Sequence, residues 1–437
     1  MGRGAGFRQT IERLRHDRFL RRLTLLSGGT LLGQLAVLLT APLLTRLYSP
    51  DEFGLLGIFA SLTGILGAAI TLRYDFAIPL CATDSAAAHL VVVAMTATVG
   101  LTMLFGLAAW LFAPWLALVT DTPALPGTIW LLAVALITWG LAQSLSFWSI
   151  RRGAYRTNAA NNVWRLVVQA AAPLGLSGMG GLGLVLGVVA GNVASFGHFL
   201  LTLPAGDRAR LRAVRPRRIW LLARRHLQYP IFAAPSALLQ NVGRSLPTML
   251  MAVVYGPAAA GWFALAQRML EVPVLLLARS ASVVFLGELR GLEGAAVRGL
   301  FLRTLGRFLA LGVLGMAPLL LLGPALFALI FGEEWRTAGT MVQCLVPAQL
   351  ARFVAVPISQ ALNVYRRQDI HLLTGALNLG AIGLAFAFGS AFSWSPPATL
   401  ILFSLGSALT YLVYLMLTWQ IIQRKVELTG GLSRPSA

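Results

Sequence analysis

Apolar residues run through this chain in long blocks, and the charges fall between the blocks. No Asp, Glu, Lys or Arg occurs between Asp84 and Asp121, between Asp121 and Arg151, between Arg165 and Asp207, or between Asp369 and Arg424. A helix crossing a bilayer core needs about 20 apolar residues. Each block therefore holds one span, or two joined by a turn. The pattern predicts twelve helices, at 23–46, 53–72, 86–112, 125–150, 157–177, 181–203, 231–255, 259–287, 304–331, 337–364, 372–393 and 397–423. Two basic segments have another character. Phe7, Ile11, Leu14 and Phe19 recur at helical spacing among arginines, and Ile219, Trp220 and Leu227 do so after Pro216. Both read as helices lying on the inner membrane surface.

The resulting organisation is a basic segment at 1–22, a six-helix bundle at 23–203, a basic linker at 204–230, a second bundle at 231–423 and a tail at 424–437. With the N-terminus inside, the segments on the cytosolic side hold 27 of the 35 lysines and arginines. Adding or removing one helix would scramble that alternation, which is the one that orients membrane proteins. Both termini are thus expected in the cytosol. The first apolar segment is long and no A-x-A site follows it, so it does not read as a cleaved signal peptide.

Composition narrows the class. Hydrophobic residues make up 57% of the 437 and charged residues 11%, against about 25% charged in soluble domains. Cys81 and Cys344 stand far apart, outside any metal-ligand spacing, and form no disulfide framework. The net charge of +20 belongs to the loops between spans, where arginine fixes orientation and meets anionic membrane lipids. No nucleic-acid partner is expected.

An internal repeat is visible. Tyr48-Ser49-Pro50 with Gly54 matches Tyr255-Gly256-Pro257 with Gly261, and Gln34 matches Asn241, at one offset; Arg151-Arg152 corresponds to Arg366-Arg367 at a slightly larger one. Both halves begin on the same side, so the repeat is parallel, an arrangement that transporters use around a central substrate site.

Ionisable groups within spans are costly and usually face a cavity. Arg244 lies midway along span 7, Arg268 and Glu271 along span 8, and Arg352 along span 10, while Arg165 lies on span 5. Four arginines against one carboxylate point to an anion-accepting cavity. Arg268 and Glu271, three apart on one helix, are placed to pair with each other. Gln34 and Asn241 are candidate hydrogen-bonding groups. Arg73 and Arg279, at cytosolic helix ends, either guide an anionic headgroup or snorkel to the interface. His89 and His198 read as packed residues. The glycine cluster at 178–183 follows no strand, so a nucleotide loop is excluded.

These residues carry a family resemblance. Arg73-Tyr74-Asp75 with Ala77-Ile78-Pro79-Leu80 resembles the R-Y-E-x-A-I-x-L signature of bacterial oligosaccharide flippases, with Asp75 where Glu is commoner. Arg224-Arg225-His226-Leu227-Gln228-Tyr229-Pro230 resembles that family's entry into its seventh span, and Ala260-Gly261-Trp262-Phe263-Ala264-Leu265-Ala266-Gln267-Arg268 its A-G-x-Y-A-L-A-x-R segment. The chain is similar throughout to the Wzx-like branch of the superfamily that also holds the multidrug (MATE) exporters and the lipid II flippase. The resemblance implies an all-α integral membrane protein, with twelve transmembrane helices in two pseudo-symmetric six-helix bundles forming a V around a central cavity. It implies translocation of an undecaprenyl-diphosphate-linked oligosaccharide to the outer leaflet of the cytoplasmic membrane, for cell-surface polysaccharide. Cavity arginines would hold the diphosphate or acidic sugars. No cofactor is expected; H+ or Na+ is the candidate coupling ion, with Glu271 and Asp75 its candidate carriers. A glycan polymerase and export machinery are the candidate protein partners, and the chain is expected to work as a monomer. The competing expectations are a cation-coupled drug exporter and a membrane enzyme that polymerises or ligates lipid-linked glycans.

Overall fold

The computed structural model describes residues 18–289, 295–359, 361–362 and 367–431. Twelve helices of 18 residues or more run through it. The first six are α1 (Arg18–Leu47), α2 (Pro50–Gly67), α3 (Asp84–Val119), α4 (Trp130–Arg151), α5 (Tyr155–Gly175) and α6 (Gly181–Thr202). Two short helices follow, α7 (Ala205–Arg212) and α8 (Pro216–Arg225). The remaining six are α9 (Ala234–Tyr255), α10 (Pro257–Leu289), α11 (Ala295–Phe331), α12 (Arg336–Ile358), α13 (Gln368–Ala391) and α14 (Pro396–Gly431).

Each expected span therefore has its helix. Among the described residues, eight are long and apolar enough to cross a membrane by length and hydropathy, while α2, α5 and α9 are less apolar. The deficit has a local cause. α2 opens on Pro50-Asp51-Glu52, α5 carries Asn158, Asn161, Asn162, Arg165 and Gln169, and α9 carries Gln240, Asn241 and Arg244. Three of the candidate site residues, Arg165, Asn241 and Arg244, thus sit on the less apolar long helices.

The boundaries depart from expectation in several places, among them α11, which opens at Ala295 rather than 304, and α14, which runs on to Gly431 rather than 423. α2 stops at Gly67 rather than continuing to 72, and Leu72 and Arg73 take positive φ values of 49° and 59°. α3 runs on to Val119 through Pro114. α12 ends at Ile358, and half of 359–364 falls outside the described residues. The amphipathic pattern at 7–22 also lies largely outside them.

The chain clusters into two compact units: residues up to Tyr48 with Ile58–Ser245, and Ser49–Gly57 with the residues from Leu246 onward. In the first unit, α1 and α5 approach closely because Gly29 faces the Ala159 backbone and Gly33 faces Leu166. Small residues at such crossings let membrane helices pack by van der Waals contact. Thr83 caps α3 by accepting a hydrogen bond from the Ala86 N–H at 3.2 Å. A buried cluster of Tyr74, Ile78, Leu90, Val91 and Trp148 receives Ile219, Leu222 and Ala223 of α8, so the linker helix is packed on one face. Its other face exposes Trp220 and Leu221. In the second unit, Phe285, Phe301, Val354, Ile358 and Leu415 form the corresponding core.

The repeat has a physical basis. In the first unit, the Tyr48 hydroxyl donates to the Pro173 carbonyl at 2.7 Å and lies against Gly183, at the α5–α6 turn. In the second, the Tyr255 hydroxyl bonds the Thr399 hydroxyl at 2.5 Å and lies against Gly389, at the α13–α14 turn. Each tyrosine thus ties its helix to the last turn of its own half. Within the second unit the two Pro/Gly motifs pack on one another reciprocally. A Cβ on Gly54 would overlap the Pro257 carbonyl, and one on Gly261 would overlap the Pro50 carbonyl. Only glycine admits backbones this close.

Candidate functional site

The second unit brings together Glu271 of α10 and Arg352 of α12. Arg352 Nη1 lies 3.3 Å from Glu271 Oε1, with Glu271 well buried and about a third of the Arg352 side chain accessible (32%). Gln267 Nε2 donates to the same carboxylate at 3.3 Å, and its own carbonyl accepts from the Thr248 hydroxyl at 3.4 Å. This corrects the expected pairing: Arg268 makes no ion pair among the described residues, although it stands one helical turn from Glu271. The carboxylate is turned toward the neighbouring helix.

In the first unit the polar residues line α5. Asn158 exchanges hydrogen bonds with Ser146, Asn161 Nδ2 donates to the Ser195 hydroxyl at 2.9 Å, and Asn162 Nδ2 lies 3.5 Å from Thr30 Oγ1 of α1. Gln34 is one turn beyond Thr30 and half-buried. Arg165 is half-buried and has no ion-pair partner among the described residues. Asn161 Oδ1 and His198 Nε2 are buried without a hydrogen-bond partner among the described residues. Asn241 turns back on its own helix, donating to the Ala237 carbonyl at 2.9 Å, and Arg244 is exposed. Arg279 lies on α10, but its side chain is outside those described.

The signature Arg73-Tyr74-Asp75 forms the start of a tight helical turn, Tyr74–Leu80. Asp75 is fully buried. Its carboxylate accepts from the Thr71 hydroxyl at 2.9 Å and from Gln143 Nε2 at 3.2 Å. Burial pushes the Asp75 carboxyl up from its ordinary value, against the opposing pull of the Thr71 hydrogen bond, the Arg73 charge and the Gln143 hydrogen bond. The Tyr74 hydroxyl reaches the Ala223 carbonyl of α8 at 3.1 Å. Arg151 closes the other end: its Nη1 lies 2.6 Å from the Cys81 carbonyl, and Nη2 lies 2.9 Å from Asp84. Arg152 bridges Asp84 at 2.8 Å and Asp207 of α7 at 3.3 Å; Asp207 also takes the Trp148 indole N–H and Arg210. The double arginine noted in the repeat is therefore a clasp on the linker. His89 joins it, with Nδ1 at 2.6 Å from the Ser85 carbonyl and Nε2 at 3.3 Å from the Arg215 amide.

Gln143, Gln267 and Asp207 went unmarked in the sequence, because their partners lie on other helices. No cluster of three or more His, Cys, Asp or Glu side chains able to hold a metal exists among the described residues.

Together these features define a multi-pass α-helical membrane transporter fold. The chain belongs to the polysaccharide biosynthesis protein family, whose model matches residues 43–339. Its fold is similar to that of the lipid II flippase MurJ in an inward closed conformation, with a TM-score of 0.69 at 10% identity, covering 96% of this chain and 94% of that one. It is similar as well to a multidrug resistance MATE family transporter of the MOP superfamily in an inward-facing conformation, with a TM-score of 0.63 at 14% identity over 93% and 96% of the two chains. The Vibrio cholerae MATE transporter VcmN gives a TM-score of 0.57 at 16% identity over 92% and 97%. No curated protein matches this chain in sequence.

Proposed function

We propose that this protein is a flippase that moves an undecaprenyl-diphosphate-linked oligosaccharide from the inner to the outer leaflet of the bacterial cytoplasmic membrane by alternating access. Family membership supplies the pathway class. The observation that carries the substrate is the surplus of in-span guanidinium: Arg165 and Arg268 lack carboxylate partners among the described residues, and Arg352 shares Glu271. A guanidinium held out of water without an anion is costly, and an arriving diphosphate supplies one, with the planar fork matched to two phosphate oxygens. Gln34, Asn161 and Asn241 are assigned to sugar hydroxyls.

Glu271 is assigned to charge balance, since its carboxylate lies against the Arg352 guanidinium and accepts from the Gln267 amide. That disfavours the drug-exporter reading, in which a free carboxylate would meet a cationic drug. Asp75 is assigned to holding its turn. The arginine-rich ends and both termini are placed in the cytosol, with the exposed Trp220 face of α8 against anionic headgroups. Deletion in the native host tests the reading. Lipid-linked oligosaccharide should accumulate and surface glycan should fall; unchanged lipid-linked pools would overturn it.

A further inference from the structure

We propose that the turn at 72–80 is a phosphate-capturing site outside the in-span arginines, with Arg73 as the contact and Phe76 and Phe147 as the shelf that positions it. Three observations converge there. The Arg73 guanidinium rests on the Phe76 ring, 4.9 Å from its centroid. Phe76 rests in turn on Phe147 of α4, with centroids 5.0 Å apart. Arg73 itself is half-buried and makes no side-chain hydrogen bond or ion pair among the described residues. Stacking uses the face of a guanidinium and leaves its N–H edge free to donate. The nearest carboxylate, Asp75, is already engaged by Thr71 and Gln143.

The turn is built to keep this arrangement. Two consecutive non-glycine residues, Leu72 and Arg73, hold left-handed φ values, a conformation that persists only where its surroundings enforce it. Asp75 pins the turn to α4, Tyr74 pins it to α8, and Arg151 caps its exit. Yet Phe76, inside this anchored turn, keeps 44% of its surface exposed. An apolar ring left open beneath a guanidinium whose N–H edge has no partner among the described residues suits a phosphate on an isoprenoid lipid: the anion meets the N–H edge and the first isoprene unit meets the ring. Arg73 is the binding residue. Phe76 positions Arg73 and also offers its open ring surface to the first isoprene unit.

The diphosphate identity rests on the flippase reading, and the experiment separates the two. Full-length protein in phosphatidylcholine nanodiscs is irradiated with a farnesyl diphosphate analogue carrying a photoreactive group on its first isoprene unit, and modified residues are located by mass spectrometry. Wild type should label within 72–80 and on Phe147. Arg73→Ala should lower that labelling about tenfold or more, as expected for loss of a charge-assisted contact, and Arg73→Lys should restore it only in part. Phe76→Leu should lower it about three- to fivefold, the scale of an exposed cation–π contact. Phe76→Trp should retain it, with all variants unfolding at the wild-type temperature. Labelling of helices α5, α10 and α12 without labelling of the turn would overturn this proposal and leave the flippase reading intact. No specific labelling anywhere would overturn both. Equal labelling in Phe76→Leu and wild type would remove the shelf. Loss of label on adding phosphatidylglycerol, to the same extent as on adding unlabelled farnesyl diphosphate, would show bilayer phosphate as the ligand and overturn the diphosphate assignment.

Discussion

Neutralising Glu271 should destabilise the second unit through Arg352, not through Arg268. At 3.3 Å and an effective dielectric near 20, the attraction between two unit charges is about 5 kcal/mol. Desolvation offsets much of that, so the pair itself adds little net stability. Removing one member is different, because it strands the other; buried pairs then lose about 3–5 kcal/mol. Arg352 keeps 32% of its side chain accessible, which puts Glu271→Gln near the low end, at about 2–3 kcal/mol. The Gln267 amide also loses its charged acceptor. Chemical denaturation of the purified protein, read from the coupling in double-mutant cycles, tests this. Glu271→Gln with Arg352→Gln should cost less than the sum of the singles by about 1–2 kcal/mol, whereas Glu271→Gln with Arg268→Leu should be additive within about 0.5 kcal/mol. Coupling to Arg268 with none to Arg352 would refute the pairing and the charge-balance role of Glu271.

Gly54→Ala and Gly261→Ala should each destabilise by about 1–3 kcal/mol or more, because the new methyl meets a backbone carbonyl; Gly100→Ala, with open space at its Cβ, should be near neutral in the same denaturation series. The Asp75 carboxyl is raised in the fold, so its contribution is greatest below the ordinary value of 3.8 and is lost as pH rises through the folded value. Asp75→Asn should flatten that pH dependence of stability, while Asp75→Ala should leave Gln143 and Thr71 without their acceptor and cost about 1–3 kcal/mol; a wild-type profile in Asp75→Asn would contradict this. In a variant lacking Cys81 and Cys344, single cysteines at Ala124, Gly180 and Pro396 should react with an impermeant thiol reagent in intact cells, and those at Gly153 and Gly206 should not. Labelling at Gly206 from outside would invert the topology.

The helices were legible because bilayer spans leave their mark in composition: long uncharged blocks, with Pro50, Pro216, Pro257 and Pro396 opening four of the helices. The repeat was legible too, because Tyr48 and Tyr255 must each anchor a helix and Gly54 and Gly261 must each admit a carbonyl. Pairing between helices was hidden. Local spacing favoured Arg268 for Glu271, but a side chain on α10 has neighbours on other helices that spacing on its own helix does not reveal, and Arg352 lies 81 residues away. Asp75 and Gln143 are 68 apart for the same reason. The early end of α2 at Gly67 was hidden because the residues beyond it, Ala68 to Leu72, are as apolar as a span. The clasp was half visible: Arg151-Arg152 stood out as a pair, while Asp207 looked like one more loop charge.

Reconstitution tests the central claim most directly. Wild-type protein and Arg352→Ala are placed in sealed vesicles holding a fluorescent undecaprenyl-diphosphate-linked oligosaccharide, and a membrane-impermeant quencher reports the fraction in the outer leaflet over time. Wild type should carry inner-leaflet substrate to the quencher much faster than empty vesicles do. Arg352→Ala, incorporated at the same level, should slow it about tenfold or more, the cost of a lost bidentate phosphate contact. Wild-type vesicles that equilibrate no faster than protein-free ones would contradict the account.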